Sequence, residues 1–236
     1  MNIRVWLISA TLFITGSVQA AYEHPDDPWE SFNRKVFAFN DTLDRWVLKP
    51  VAQGYRYVTP GFVDKAITNF FHNFADVPHL ANTLLQLKGR ESAITFTRIV
   101  FNTTWGIGGL IDIATAWDLP VQEEDFGQTL NYYGAPEGNY LIIPIFGPST
   151  VTEAIGRVPD AFFDPVSFLF HSPENYALPI TEAIDARADL IPAEGLLTGD
   201  KYASLRSLYL QRRDYLIHDG EVQDSFLEDE EDYSDF

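Results

Sequence analysis

Cysteine is absent from all 236 residues. Its absence excludes disulfides, thiolate metal sites and cysteine nucleophiles. Basic side chains are scarce: 16 Lys and Arg stand against 34 Asp and Glu, a formal net charge of −18. A surface of that sign repels nucleic acid and does not dock on anionic lipid through a basic patch. Beyond the N-terminal segment, no run approaches the roughly 20 uninterrupted apolar residues of a transmembrane helix. The marks of several catalytic classes are also missing. There is no Gly-x-Ser-x-Gly elbow, no phosphate-cradling glycine loop and no His-Glu-x-x-His. Gly106-Ile-Gly-Gly109 has the wrong spacing for a dinucleotide fingerprint, and no strand pattern precedes it.

What is present begins with an export signal. Arg4 forms a short basic start, Val5 to Ile14 an apolar stretch, and Val18-Gln19-Ala20 a small-x-small cleavage site. Residues 1–20 therefore read as a signal peptide. Nine acids and no Lys or Arg fall between Asp219 and Phe236, so residues 219–236 read as an acidic disordered tail. One domain, residues 21–218, lies between them. Aromatic residues make up 14 % of the chain, and aromatics with few charges favour lipid or an interface.

Helical signals fill this domain. Asp27-Pro28-Trp29-Glu30 reads as N-cap, N1 and N3 of a first helix. Trp29, Phe32, Val36, Phe39, Leu43 and Trp46 then recur at three and four, up to a stop before Pro50. Thr59-Pro60 opens a second helix, Asp76 to Leu87 makes a third with a boundary near Pro78, and Glu91 to Trp105 makes a fourth that is apolar nearly all round. Asp125 to Tyr133 is a further helix. Tyr140 to Phe146 is extended, and Thr150-Val-Thr-Glu153 is a capping box. The last helices are Ile180 to Leu190 and Asp200 to Ile217. The fold class is mainly α with little or no β.

Candidate chemistry is thin. His72, Asp76 and His79 would share a helix face and could hold a metal, but Pro78 interrupts them and assigns Asp76 to a cap. Asp185, Arg187 and Asp189 read as a solvated helix face with local ion pairs. Glu123-Glu124-Asp125 fits the acids of a helix start better than a calcium loop. Nothing in the spacing joins Ser149 to His171 or His218 as a hydrolytic triad. No metal or cofactor is expected, and no catalytic residue.

Phe101 to Ala114 is the most informative stretch. An apolar run is broken by Gly106, Gly108 and Gly109 and then carries Asp112. Glycine there implies a tight turn or close backbone approach. A carboxylate in such surroundings must be capped, paired or wet. The combination suits a wall that meets both lipid and water.

Several segments, taken in order, carry a resemblance. They are Asp27-Pro-Trp-Glu-Ser-Phe-Asn-Arg34, Phe39-Asn40, Lys49-Pro-Val-Ala52, Phe96-Thr-Arg98, Phe101-Asn-Thr103, Gly106-x-Gly-Gly109 and Asp112-x-Ala114. Phe126-Gly-Gln-Thr-Leu130, Tyr133-Gly134, Leu141-x-x-Pro144-x-x-Gly147-Pro148 and Ile184-Asp185-x-Arg187-Ala188 complete the set. Together they resemble the MlaA family, also called VacJ, the outer-membrane component of the Mla phospholipid transport pathway. The resemblance spans about Asp27 to Gly220. It implies a single ring-like multi-helix domain with a central polar channel, lying in the inner leaflet of the outer membrane. Phospholipid astray in the outer leaflet would pass through the channel to a periplasmic lipid carrier, with a trimeric porin as companion and no catalysis.

The resemblance also implies site residues. Asn33, Arg34 and Asn40 are expected near the channel, with Phe39 packed beneath them. From the residues themselves, Asn102 is expected to satisfy exposed backbone, Gly106, Gly108 and Gly109 to permit the turn, and Asp112 to cap it or face channel water. Val166 to Phe170 matches, by position, a family hairpin that borders the channel. Trp29, Trp46, Trp105 and Trp117 would sit at headgroup depth. One departure stands out: family members typically carry an acylated lipobox cysteine, whereas this chain reads Ala20-Ala21. Membrane retention is then expected from apolar area or a partner, on the periplasmic side of the outer membrane. Two other readings compete, a structural adaptor that tethers partners and a lipid hydrolase.

Overall fold

The computed structural model describes residues 27–196 and 199–220. The expected signal peptide and the acidic tail beyond Gly220 lie outside the described residues. Ten α-helices and one two-stranded antiparallel sheet make up the fold among them.

Helix α1 spans Glu30–Leu43 and runs through a π-helical turn, Asp44–Leu48, into α2, Lys49–Val58. The expected stop before Pro50 is not there. Pro50 sits in the first turn of α2, directly after the π-helical turn, and the helical backbone continues through it although it offers no N–H. Asp27 does not cap α1 with its side chain. Its carboxylate is buried and serves distant partners instead, as described below. Helix α3, Gly61–Leu85, joins the expected second and third helices into one. Pro78 lies inside it. A proline costs the helix one N–H, and packing of α3 along α4, Gly89–Thr104, carries the helix across that gap. Asp76 is consequently a mid-helix residue rather than a cap.

Local signals hold elsewhere. Helix α5 is Ile113–Ala116 and α6 is Phe126–Tyr132, the latter capped by Asp125, which accepts from Gln128 N–H. Strands β1, Tyr140–Ile143, and β2, Gly147–Thr150, form a hairpin in which Tyr140 faces Thr150 and Ile143 faces Gly147. Thr150 then caps α7, Val151–Phe163, through Glu153 N–H. Asp164 caps α8, Pro165–Leu169. Helix α9, Glu174–Leu190, leads through a 3₁₀ turn, Ile191–Leu196, towards α10, Lys201–Ile217, which is capped by Asp200.

The interior is polar and the exterior apolar. Eight hydrophobic residues are buried among the described residues, against nineteen polar or charged ones. A small cluster of Tyr140, Ile142 and Tyr202, backed by Val36, Phe37, Tyr209 and Leu210, is the only hydrophobic core among the described residues. Thirty-four large hydrophobic residues are exposed among the described residues, Trp46 at 77 % and Trp105 at 63 % among them. Most of the α1 stripe, Trp29, Phe32 and Phe39 included, faces outward. The fourth helix, expected to be apolar nearly all round, has a polar buried face: Ser92, Thr95, Arg98 and Asn102 are its buried positions, while Arg90, Thr103 and Thr104 are exposed. Soluble domains bury their apolar stripes. This one buries polar faces in paired contact and displays the stripes.

Candidate functional site

Two asparagines on α1 hold the β-hairpin. Asn33 is fully buried; its Oδ1 accepts from Ile142 N–H at 2.9 Å and its Nδ2 donates to the Tyr140 carbonyl at 3.1 Å. Asn40, two helical turns on, repeats the pattern at the hairpin turn: Oδ1 accepts from Ile145 N–H at 2.8 Å and Nδ2 donates to the Ile143 carbonyl at 3.1 Å. A carboxamide presents one acceptor and one donor face, so each side chain imitates a stretch of strand. Asn33 Nδ2 also meets Asp27 Oδ1 at 2.8 Å. The other oxygen of Asp27 accepts from Arg206 at 3.0 Å and from the Tyr202 hydroxyl. Arg34 binds Glu30 at 2.7 Å and Asp200 at 2.8 Å and lies 4.3 Å above the Tyr202 ring. It ties α1 to α10 at the surface. Phe39 does not pack beneath Asn40: it points about 100° round the helix from it and is 54 % exposed.

The glycine turn closes on itself. Gly109 N–H donates to the Asn102 carbonyl at 2.8 Å, Gly108 N–H to Thr103 at 3.0 Å, and Ile111 N–H to Gly106 at 2.9 Å. Gly108 and Gly109 have φ of +69° and +94°, a region costly to residues with a Cβ. A Cβ on Gly109 would lie 2.7 Å from the Asn73 Cβ on α3, and one on Gly106 would strike the carbonyl oxygens of Ile111 and Asn102. Asn102 Oδ1 accepts from both Ile113 N–H, at 2.9 Å, and Ala114 N–H, at 3.0 Å, while its Nδ2 donates to Asp112 Oδ1 at 3.1 Å. Asp112 caps α5, accepting from Thr115 N–H at 2.9 Å and from the Thr115 hydroxyl.

One guanidinium anchors this turn to its neighbours. Arg98, fully buried, donates from Nε to Asp76 at 3.2 Å, from Nη1 to the Leu119 carbonyl at 2.6 Å and to Thr115 at 3.2 Å, and from Nη2 approaches Asp112 at 3.5 Å. Two carboxylates thus share one cation. Burial drives the Asp76 carboxyl above its ordinary range, and Arg98 only partly offsets it. Burial acts on Asp112 as well, but the Thr115 hydrogen bonds and then Arg98 outweigh it and hold the carboxyl below the usual range. Asp76 Oδ1 and Asn73 Oδ1 remain buried without a partner.

A third polar group gathers between α2, α3 and α9. Asp185, 3 % exposed, accepts from the Tyr55 hydroxyl at 2.6 Å and from Thr68 at 2.8 Å. It is therefore not part of a solvated face. Arg187 pairs across to Asp44 at 2.6 Å and also with Glu194 in the adjoining 3₁₀ turn. Glu182 is exposed to water, yet desolvation, then Asp164 and Asp185, raise its carboxyl. Asp189 is raised in the same way, by burial, then Asp185 and Asp64.

The family described as MlaA lipoprotein matches residues 25–216. The chain belongs to this family. It is 33 % identical over 203 residues to the intermembrane phospholipid transport system lipoprotein MlaA of Escherichia coli K12, covering 84 % of this chain and 80 % of that protein. It is 30 % identical to the protein of the same description from Haemophilus influenzae, covering 85 % of this chain and 82 % of that one. A solved structure described as "Structural basis for maintenance of bacterial outer membrane lipid asymmetry" superposes with a TM-score of 0.72 at 34 % identity, over 81 % of this chain and 98 % of that chain. The mainly α fold is that of the MlaA family.

Within this MlaA-family fold, Asn102, Gly106, Gly108, Gly109 and Asp112 come together in one turn, and Asn33 and Asn40 meet at the hairpin. Arg34 and Phe39 belong to neither group. Sequence reasoning missed Asp76 and Arg98 as the anchor, and Tyr55 and Thr68 as the partners of Asp185. A signal for Arg98 existed: an arginine inside an otherwise apolar helix needs a buried anion, and Asp76 and Asp112 were the isolated carboxylates nearby. His72, Asp76 and His79 share one helix after all, but Asp76 is engaged by Arg98, and His79 Nδ1 lies 2.7 Å from the Glu124 carbonyl oxygen.

Proposed function

We propose that the chain transfers phospholipid at the outer membrane without catalysis, taking molecules astray in the outer leaflet and passing them to a periplasmic lipid carrier. The observation that carries this reading is the inverted polarity of the fold: buried polar faces and an exposed apolar surface in a member of the MlaA family. A phospholipid needs both kinds of surface at once. Its headgroup requires polar lining to leave water, while its tails stay in hydrocarbon. The exposed tryptophans Trp29, Trp46, Trp105 and Trp117 suit the headgroup boundary of one leaflet. No described helix is long and apolar enough to cross a membrane.

In this reading the domain is a ring around a polar channel on the periplasmic side of the outer membrane, with a trimeric porin as neighbour. The glycine turn, with Asn102 and Asp112, forms one wall of the lipid path. Asn33 and Asn40 hold the β-hairpin to α1, and the exposed carboxylates Glu182 and Asp189 on α9 mark the wet side of the path. The test is complementation of a strain lacking its own MlaA protein, with outer-leaflet phospholipid measured by accessibility to added phospholipase. Expression of the chain is expected to lower that signal to the level of the parent strain. A folded, correctly localised protein that leaves the signal unchanged refutes transfer. Release of lysolipid by the purified protein refutes the non-enzymatic part.

A further inference from the structure

Asn69, Asn73 and Asp76 stand at i, i+4 and i+7 on α3, so they share one face of that helix. Asp76 meets Arg98 of α4. The two asparagines meet the glycine turn at its two ends. At the entrance, Asn73 Nδ2 donates to the Thr103 hydroxyl at 3.2 Å. At the exit, Asn69 Nδ2 donates to the Leu110 carbonyl at 3.2 Å. Between these points Gly109 lies against the Asn73 side chain with no room for a Cβ.

The turn does not owe its shape to α3. Three backbone hydrogen bonds close it on itself and on the end of α4, from Gly108, Gly109 and Ile111, while Asn102 and Asp112 hold the chain as it leaves. Asn73 is also a poor choice for folding alone. It is buried, and its Oδ1 has no hydrogen-bond partner. Burying an acceptor in that state is a net cost, which a hydrocarbon side chain of similar shape avoids. Thr103 is exposed, so its hydroxyl has water as an alternative partner. What the two amides add is location: they tie a turn of fixed shape to the longest described helix, 25 residues long.

We infer that Asn69 and Asn73 are positioning residues, which set the distance and tilt of the glycine turn against α3 and thereby the width of the lipid path that the turn walls. Two attachment points, one helical turn apart, fix a tilt that a single contact leaves free. The attachment rests on geometry alone; its effect on the path rests on the transport reading.

Hydrogen exchange of the full chain in detergent, read over residues 105–111 with Tm followed in parallel, tests the attachment in Asn69→Leu, Asn73→Leu and the double variant. Leucine keeps the side-chain size and removes the amide. In the double variant, exchange over 105–111 is expected to become roughly tenfold faster, the loss of two modest hydrogen bonds, at an unchanged Tm. Residues 112–116, held by Asn102 and Asp112, are expected to keep their rate. In the complementation strain the double variant is expected to leave outer-leaflet phospholipid above the wild-type level. Asn69→Gln retains the donor and is expected to bring both readings back when it replaces Asn69→Leu. Where the double variant fails to fold, Asn69→Leu alone, at a half-buried position, carries the same readings. Unchanged exchange over 105–111 in the folded variants, or acceleration spread along the whole chain with a fallen Tm, overturns the positioning role. Faster local exchange with wild-type phospholipid overturns the link to path width. A wild-type chain that itself leaves the phospholipid signal uncorrected removes the transport reading, and the exchange alone then decides whether the asparagines hold the turn.

Discussion

Replacing Arg98 by Met tests the buried polar interior most directly. Arg98 and Asp76 are both fully buried, and the pair at 3.2 Å sits inside the α3–α4 contact. Met preserves much of the side-chain volume but leaves Asp76 as an uncompensated buried charge, and removing one partner of a buried pair costs about 3–5 kcal/mol. A domain of ordinary stability has about 5–15 kcal/mol in total. At about 2–4 °C of Tm for each kcal/mol in a domain of this size, the expected fall is roughly 6–20 °C. Asp112 suffers less, because Thr115 and Asn102 still hold it. Adding Asp76→Asn removes the stranded charge, so the double variant is expected to recover about half the loss.

The pH dependence of Arg98→Met has a definite sign. The folded-state pKa of Asp76 is already raised in the wild type, and loss of Arg98 raises it further. A carboxyl with a raised folded pKa binds more protons folded than unfolded, so stability falls as pH rises from the unfolded pKa to the folded one. The deficit of Arg98→Met against wild type is therefore expected to be largest at neutral pH and to shrink as pH falls towards the ordinary carboxylate range. Thermal unfolding in detergent micelles, followed by circular dichroism between pH 5 and pH 8, reads both effects. A neutral-pH deficit below about 1 kcal/mol, or a double variant no more stable than Arg98→Met, would refute the claim that Arg98 is held by a buried ion pair.

Two further outcomes follow from the site. Gly109→Val is expected to destabilise by about 2–4 kcal/mol, because it adds left-handed backbone strain to a collision with Asn73; a variant that folds, localises and keeps full outer-leaflet asymmetry would remove the glycine turn from the lipid path. Asn33→Ala strands the buried Ile142 N–H and Tyr140 carbonyl and is expected to cost about 1–3 kcal/mol, with faster hydrogen exchange at Ile142; Asn40→Ala should cost less, since the Ile145 N–H it releases can turn to water.

The local part of this architecture was legible because its causes are local. Asp125 and Thr150 cap helices by bonding an N–H three residues on, and Asp112 does the same for α5. Such contacts need no distant partner, so residue type and spacing suffice. Apolar periodicity likewise located α1 and α4, but a stripe at helical spacing looks the same whether it faces a core or lipid. Which face turned inward depended on what the rest of the chain offered: Asn33 met the backbone of β1, more than a hundred residues away, and Asp185 met Tyr55 and Thr68. Pro78 misled for a related reason, since its local penalty was overridden by packing of α3 along α4.

By itself, the sequence determined that this is a helical, acidic, cysteine-free chain with a glycine-broken apolar segment and the ordered signatures of one family. Only the tertiary structure decided that its polar side chains would close on one another inside while its aromatics faced out. Buried charges and amides must find partners of matching geometry, and those partners, Asp76 for Arg98 and the β1 backbone for Asn33, become neighbours only when the chain has folded.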